Sequence, residues 1–350
     1  MSSKRLIIDT AMDKVPDRVF SDPDTFDKWI GCVPTANGGP HVHVNTLKDG
    51  RRQISLEQPD GFGNAALVEG EYSLEATLAA MDTCGIEKAI IRIPVWGEWM
   101  TQDLCEMAND AYAKFVEKSN GRIVAMGTVP PWGDRASLHE LERCIKELGF
   151  CGMQLSAHYG KWYLDNEAFR PLLKVLNDEN VPVAVRNVPL PVDYASITKY
   201  NNVRRELGRE IDAITAVSLE LYSGIFEDFP NLKFVHGFMG GAWFAFDGLL
   251  RPRVRAGQTE ETKRLDASAA DRIERYVKNN LFFEITHPGT WGKRQLECAV
   301  DVCGADHFVF GTMIPVFDGR ADVEAIETLD IPETDKDLIL GGNAQRLFGL

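Results

Sequence analysis

The sequence predicts an α/β protein of the (β/α)8 TIM-barrel type, and two observations carry that prediction. Eight short runs of β-branched or apolar residues recur along the chain, and most are separated by segments with the 3.6-residue apolar spacing of helices that cover a sheet. The length of 350 residues, 44% hydrophobic and 26% charged, suits one such barrel, so residues 1–350 read as a single domain.

In order, the strand-like runs are Leu6–Thr10, Lys88–Ile93, Arg122–Val129, Gly152–Ser156, Pro182–Asn187, Lys233–Phe238, Leu281–Thr286 and His307–Thr312. They have strand length and favour a pleated, buried surface. Between them, Leu74–Cys84, Asp103–Lys118, Ser137–Leu148, Phe169–Asp178, Ala213–Phe226 and Ala270–Asn279 read as helices. Ser73 stands where an N-cap hydroxyl would accept from the first turn. Residues 14–71 are too many, and too rich in Gly, Pro and Asp, for an ordinary βα connection of roughly 2–6 residues. They are expected to form an elaborated first loop over the barrel mouth, where such loops shape the site.

Charge and cysteine usage narrow the function class. A formal net charge of −14 repels nucleic acid and anionic membranes at long range, which leaves a small molecule or another protein as partner. No apolar run approaches the ~18 residues of a membrane span, and the polar start up to Arg5 lacks the apolar core of a secretory leader. The seven cysteines are odd in number and form no CxxC pair, so reduced thiols and a cytoplasmic location are expected.

Several separated stretches carry a family likeness. Leu6-Ile7-Ile8-Asp9 looks like a first strand that would run on into His-x-His, and Phe226 to Phe234 looks like the lead into strand six. Gly240-Gly241-Ala242, the run Gly304 to Thr312, and the closing stretch Ile339 to Gly349 follow at matching distances. In order and spacing, the chain resembles the aminocarboxymuconate-semialdehyde-decarboxylase-like branch of the amidohydrolase superfamily (amidohydrolase family 2). That resemblance implies a divalent metal at the C-terminal mouth of the barrel. Its ligands would be His-x-His on strand one, a His ending strand five and an Asp ending strand eight, with a His on strand six binding metal or acting in catalysis. Imidazoles and a carboxylate suit such an ion because they supply lone pairs and leave a position open.

The matching positions here are Ala11 and Asp13, Arg186, Phe238, and Met313. Among them only Asp13 could ligate a metal, because arginine keeps its proton and its charge repels a divalent ion. The expectation is therefore a mouth without a metal or other cofactor. Arg186 would replace the metal's charge and pair with Asp13, while Phe238 and Met313 fill the remaining space.

Other residues have a bland reading beside a functional one. His41-Val42-His43 is either a surface hairpin or a zinc-binding pair whose third ligand the sequence does not reveal. His236, two residues before Phe238, is expected to point the same way into the barrel, as a core histidine or a base. His158 after strand four and His287 after strand seven are candidates for the pocket wall, against structural roles. Trp96 and Trp99 would wall an apolar ring-binding pocket or pack against a neighbouring subunit. No Gly-x-Ser-x-Gly elbow or phosphate-binding glycine pattern appears.

Two functions from different classes follow. The first is an auxiliary, non-catalytic subunit that assembles with a metal-bearing paralogue or with itself, as the resemblance implies from two-component relatives such as the α-aminoisobutyrate hydroxylase pair. The alternative is a metal-independent decarboxylase, hydrolase or lyase acting on a small carboxylated substrate. Arg186 would then clamp the carboxylate, Asp13 would act as acid or base, and His158, His236 or His287 would move the second proton. A plugged mouth favours the first reading and an open pocket the second.

Overall fold

Parallel pairing joins all eight predicted runs into one sheet in chain order. The strands are Ile8–Asp13, Lys88–Arg92, Ile123–Thr128, Gly152–Ser156, Val183–Arg186, Phe234–His236, Leu281–Thr286 and Phe308–Gly311. Past the last strand, Met313 N donates to Ala11 O at 2.9 Å and Asp13 N to Ile314 O at 2.9 Å, which closes the sheet onto strand one. The computed structural model describes residues 5–35, 40–57, 60–188, 192, 197, 200, 203–251 and 270–350, the last stretch without the side chains of 270 and 271.

The period of two along a strand accounts for the bore. Ile8, Ile90, Met126, Ala184, Val235 and Val309 form one apolar layer across it. Two positions on, the same faces carry Thr10, Arg92 and Arg186, joined there by Glu284 of strand seven. The bore is thus apolar below and charged immediately under the mouth.

Covering helices form largely as the spacing predicts. Leu74–Cys84 has its predicted bounds: Ser73 Oγ accepts from Ala76 N at 3.1 Å, and Gly85 ends it in the left-handed region at φ 72°. Gln102–Lys118, Arg135–Lys146, Arg170–Asp178 and Ala270–Asn280 follow. The expected helix over 213–226 instead runs Arg209–Tyr222, and Gly224 at φ 81° separates it from a short turn, Ile225–Asp228. Lys293–Cys303 and Gly319–Glu327 also cover the sheet, although the sequence reading passed over both.

The long first loop has structure of its own. It holds the helix Pro23–Gly31 and an antiparallel sheet of His41–Thr46, Arg52–Glu57 and Gly63–Val68. Among the described residues no helix is long and apolar enough to cross a membrane. All seven cysteines are free thiols.

Candidate active site

A cavity of about 490 Å³ opens at the C-terminal mouth of the barrel. Asp13 at the end of strand one and residues that follow strands two, six, seven and eight form its floor and walls: Pro94, Val95, Phe238, His287, Thr290, Trp291, Met313, Val316 and Phe317. Asn64 to Leu67 of the first loop and Arg205, Glu206, Arg209 and Glu210 form the rest of the lining. The first loop therefore reaches the site through Asn64 to Leu67.

Two buried ion pairs cross the bore at the floor. Arg186 grips Asp13 bidentately, Nη1 to Oδ1 at 2.6 Å and Nη2 to Oδ2 at 3.2 Å, and Nη1 also donates to Ile93 O at 3.4 Å. Arg92 Nη2 meets Glu284 Oε1 at 2.8 Å, and Thr286 and Thr10 donate to the Glu284 oxygens at 2.7 and 3.2 Å. Beside them, Asp9 accepts from Thr312 Oγ1 at 2.5 Å and from the Ala11 amide at 2.8 Å. Burial still raises the Asp9 carboxyl to about 6, against those hydrogen bonds.

Phe238 reaches the cavity through an unusual backbone. Phe238, Met239, Gly240, Gly241 and Ala242 all lie in the left-handed region, with φ of 53°, 52°, 60°, 70° and 61°. Each non-glycine residue there costs about 1–2 kcal/mol, so the turn is held by its packing. At Gly241 a Cβ would fall 2.0 Å from Glu210 O, so this turn and the helix Arg209–Tyr222 meet backbone to backbone. Met313 (φ 60°) and His287 (φ 32°) share the same backbone region.

The imidazole of His287 is sandwiched, its ring centroid 4.2 Å from Phe317 and 5.1 Å from Phe238. Nδ1 sits 2.8 Å from Thr290 Oγ1. Burial lowers its pKa to about 4, so the ring is neutral at ordinary pH. Elsewhere in the wall burial raises Glu210 to about 8, with Arg209 opposing the shift and Glu206 adding to it. Glu210 Oε2 is buried without a hydrogen-bond partner among the described residues. Burial first, and then Arg205, lowers Arg209 to about 10.

The residues singled out in the sequence divide into two groups. Asp13, Phe238, Met313 and His287 line the cavity, and Arg186 lies directly beneath as Asp13's partner. The other four do not. His236 points outward, because the inward parity of strand six falls on Val235 and Gly237; its Nε2 pairs with Glu220 Oε2 of the covering helix at 2.8 Å. His158 is enclosed by Asp212, 3.1 Å from Nε2, and Glu98, 3.8 Å from Nδ1, where Tyr163 also donates to Asp212. Trp96 is fully buried, stacked on Trp29 at 5.7 Å, and Trp99 meets its edge at 6.2 Å. Packing of the first loop on the barrel consumes both indoles. Nor does Arg186 keep the role of substrate clamp, since Asp13 occupies its two terminal nitrogens.

Sequence reasoning missed Arg205, Glu206, Arg209 and Glu210. The run Arg204-Arg205-Glu206-Leu207-Gly208-Arg209-Glu210 is dense in charge within a chain short of cations, and that was the available signal.

The residues at the expected metal position do not fit a divalent ion. Ala11, Phe238 and Met313 offer no hard donor, Arg186 is a cation, and both Asp13 oxygens already accept from it. Elsewhere, His43 Nε2 lies 2.8 Å from Asp60 Oδ1 and 3.6 Å from Glu57 Oε2. These three ligand atoms lie within 4.8 Å of one another, the one such group of three or more among the described residues. His41 takes no part; the partners come from the neighbouring strand and the turn after it.

Comparisons with known proteins agree with this architecture. The chain is 28% identical to a gamma-resorcylate decarboxylase of Polaromonas sp. over 77% of its own length and 85% of that protein. It is 25% identical to the 2-amino-3-carboxymuconate-6-semialdehyde decarboxylase of Dictyostelium discoideum over 71% and 67% of the two chains. Among solved structures it shares the fold of a Polaromonas dihydroxybenzoic acid decarboxylase with bound manganese and the inhibitor 2-nitroresorcinol. The TM-score is 0.70 at 20% identity, over 99% of this chain and 97% of that one. Residues 42–350 match the amidohydrolase family, and the chain belongs to it.

Proposed function

We propose that this chain is a decarboxylase of small aromatic carboxylates that works without the metal of its relatives. The observation that carries the reading is the open mouth cavity of about 490 Å³, whose walls Phe238, Met313, Phe317 and Val95 suit a ring and whose lining adds Arg205 and Arg209. A plugged mouth would have favoured the auxiliary-subunit reading instead. The names of the relatives supply the reaction class.

Each group has a definite task in this reading. Arg205 and Arg209 hold the anionic oxygens of the substrate. Arg186 keeps Asp13 fixed below the ring, so the floor presents a neutralised pair where relatives would hold an ion. The neutral ring of His287 accepts a hydrogen bond from a ring hydroxyl, which pushes electron density toward the carbon that loses CO2.

Incubation with 2,6-dihydroxybenzoate and related hydroxybenzoates, with and without a chelator, tests this. Chromatography should find the decarboxylated phenol in both arms. No product from any acid would sink the decarboxylase reading. Product that vanishes on chelation and returns with manganese would sink its metal-free part. Light scattering of the same preparation gives the oligomeric state, and co-expression with a metal-bearing relative tests the expected partner.

A further inference from the structure

Loss of CO2 from a ring leaves a carbon that must gain a proton, so a decarboxylase of this kind needs an acid facing its substrate. Apart from arginines, the charged or titratable groups lining the cavity are Asp13, Glu206, Glu210 and His287. Asp13 gives both oxygens to Arg186. His287 is neutral and carries the opposite task. Glu206 is exposed to solvent. Glu210, which lines the same cavity, differs from all three because its Oε2 is buried and has no hydrogen-bond partner among the described residues.

The backbone of this residue is held in place. Glu210 lies in the first turn of the helix Arg209–Tyr222, and the left-handed turn at Gly241 packs against its carbonyl. Around it stand Arg205, Glu206 and Arg209 from its own stretch, with Asp13 and His287 among the charged or titratable residues elsewhere in the lining.

We infer that Glu210 is the acid that protonates the ring carbon; the inference rests on the decarboxylase reading. A ring π pair takes the Glu210 proton at the carbon that bears the carboxylate. The C–C bond then breaks, its electron pair restores the aromatic ring, and CO2 leaves. Glu210 is left as a carboxylate beside Arg209 until water returns the proton. Its raised pKa of about 8 keeps the acid form populated at neutral pH.

The test compares the wild-type chain with Glu210→Gln and Glu210→Asp, using 2,6-dihydroxybenzoate from pH 5 to 10, with thermal unfolding as the check on folding. Glu210→Gln is expected to lower kcat by about 10²–10⁴-fold with KM little changed, and Glu210→Asp to recover part of it. Wild-type kcat/KM should fall above pH 8, the value near which Glu210 titrates, and the residual activity of Glu210→Gln should lack that limb. A Gln variant that keeps both the wild-type rate and the alkaline limb removes Glu210 from the chemistry and leaves the decarboxylase reading standing. A wild-type chain that releases no CO2 overturns both.

Discussion

The floor and the rim of the mouth cavity are both charged, but they are built differently. On the floor, Asp13 meets Arg186 and Glu284 meets Arg92, and each pair joins strands far apart in sequence. Around the rim, Arg205, Glu206, Arg209 and Glu210 all come from one short stretch: Arg205 Nε lies 3.4 Å from its chain neighbour Glu206, Arg209 donates to Asn64 Oδ1, and Glu210 Oε2 has no hydrogen-bond partner among the described residues. Charges that pair across a barrel hold the barrel; charges gathered in one stretch of a cavity wall are disposed toward a ligand. The contrast separates residues whose loss should cost stability from residues whose loss should cost binding and turnover.

Arg186→Met should show the largest effect. It strands the Asp13 carboxylate in a buried setting, where breaking such a pair costs about 3–5 kcal/mol, read by urea unfolding. Replacing both partners, in Asp13→Leu with Arg186→Met, should cost less than the sum of the single changes. Wild-type stability in Arg186→Met would erase the distinction between floor and rim.

A second floor effect concerns pH. Asp9 titrates near 6 when folded and near 4 when unfolded, so the folded chain binds the extra proton between these values. Its contribution is fully present below the unfolded pKa and is lost as pH rises through about 6. The span is on the order of 3 kcal/mol. Asp9→Asn should remove that falling slope from a plot of unfolding free energy against pH, and an unchanged slope would show that Asp9 ionises freely in the barrel.

At the rim, Arg209→Met should leave unfolding within about 1 kcal/mol of wild type, because the side chain is only half-buried. Substrate affinity should fall by about 10–100-fold, the worth of one hydrogen bond to a charged group. Equal weakening of 2,6-dihydroxybenzoate and its decarboxylated phenol would show that Arg209 does not read the carboxylate.

The barrel was legible because its signals are periodic and local. Apolar runs at strand length, Ser73 as a cap and Gly85 as a stop are written within a few residues of what they specify. The Asp13–Arg186 pair was legible for another reason: two matched positions in a family pattern changed together, to opposite charges. Strand parity decided what was missed. His236 belongs to the outer face once Val235 and Gly237 face the bore, and the strand ends there, so Phe238 in the left-handed turn beyond does not share its parity. Trp96 was read as a pocket wall because nothing near it in sequence announces Trp29, which stacks on it from the first loop. Glu210 carries no motif at all, and only the approach of Gly241 and the closed cavity wall give it an environment.

The smallest expected effect has the opposite sign to that of Asp9. His287 titrates near 4 in the folded chain, below the ordinary 6.5, because burial opposes its charge. From pH 6.5 down to 4 the unfolded chain therefore takes up a proton that the folded chain refuses, and stability falls as pH falls through this window. The ring is half-buried, so solvent screening keeps the contribution below about 1 kcal/mol. His287→Asn should flatten that acid limb relative to wild type in thermal unfolding at matched ionic strength, whereas Asp9→Asn should flatten a slope that runs the other way. If both substitutions moved the profile in the same direction, the floor and the rim would share one electrostatic environment, and the assignment of His287 as a neutral hydrogen-bond acceptor would fall with the distinction.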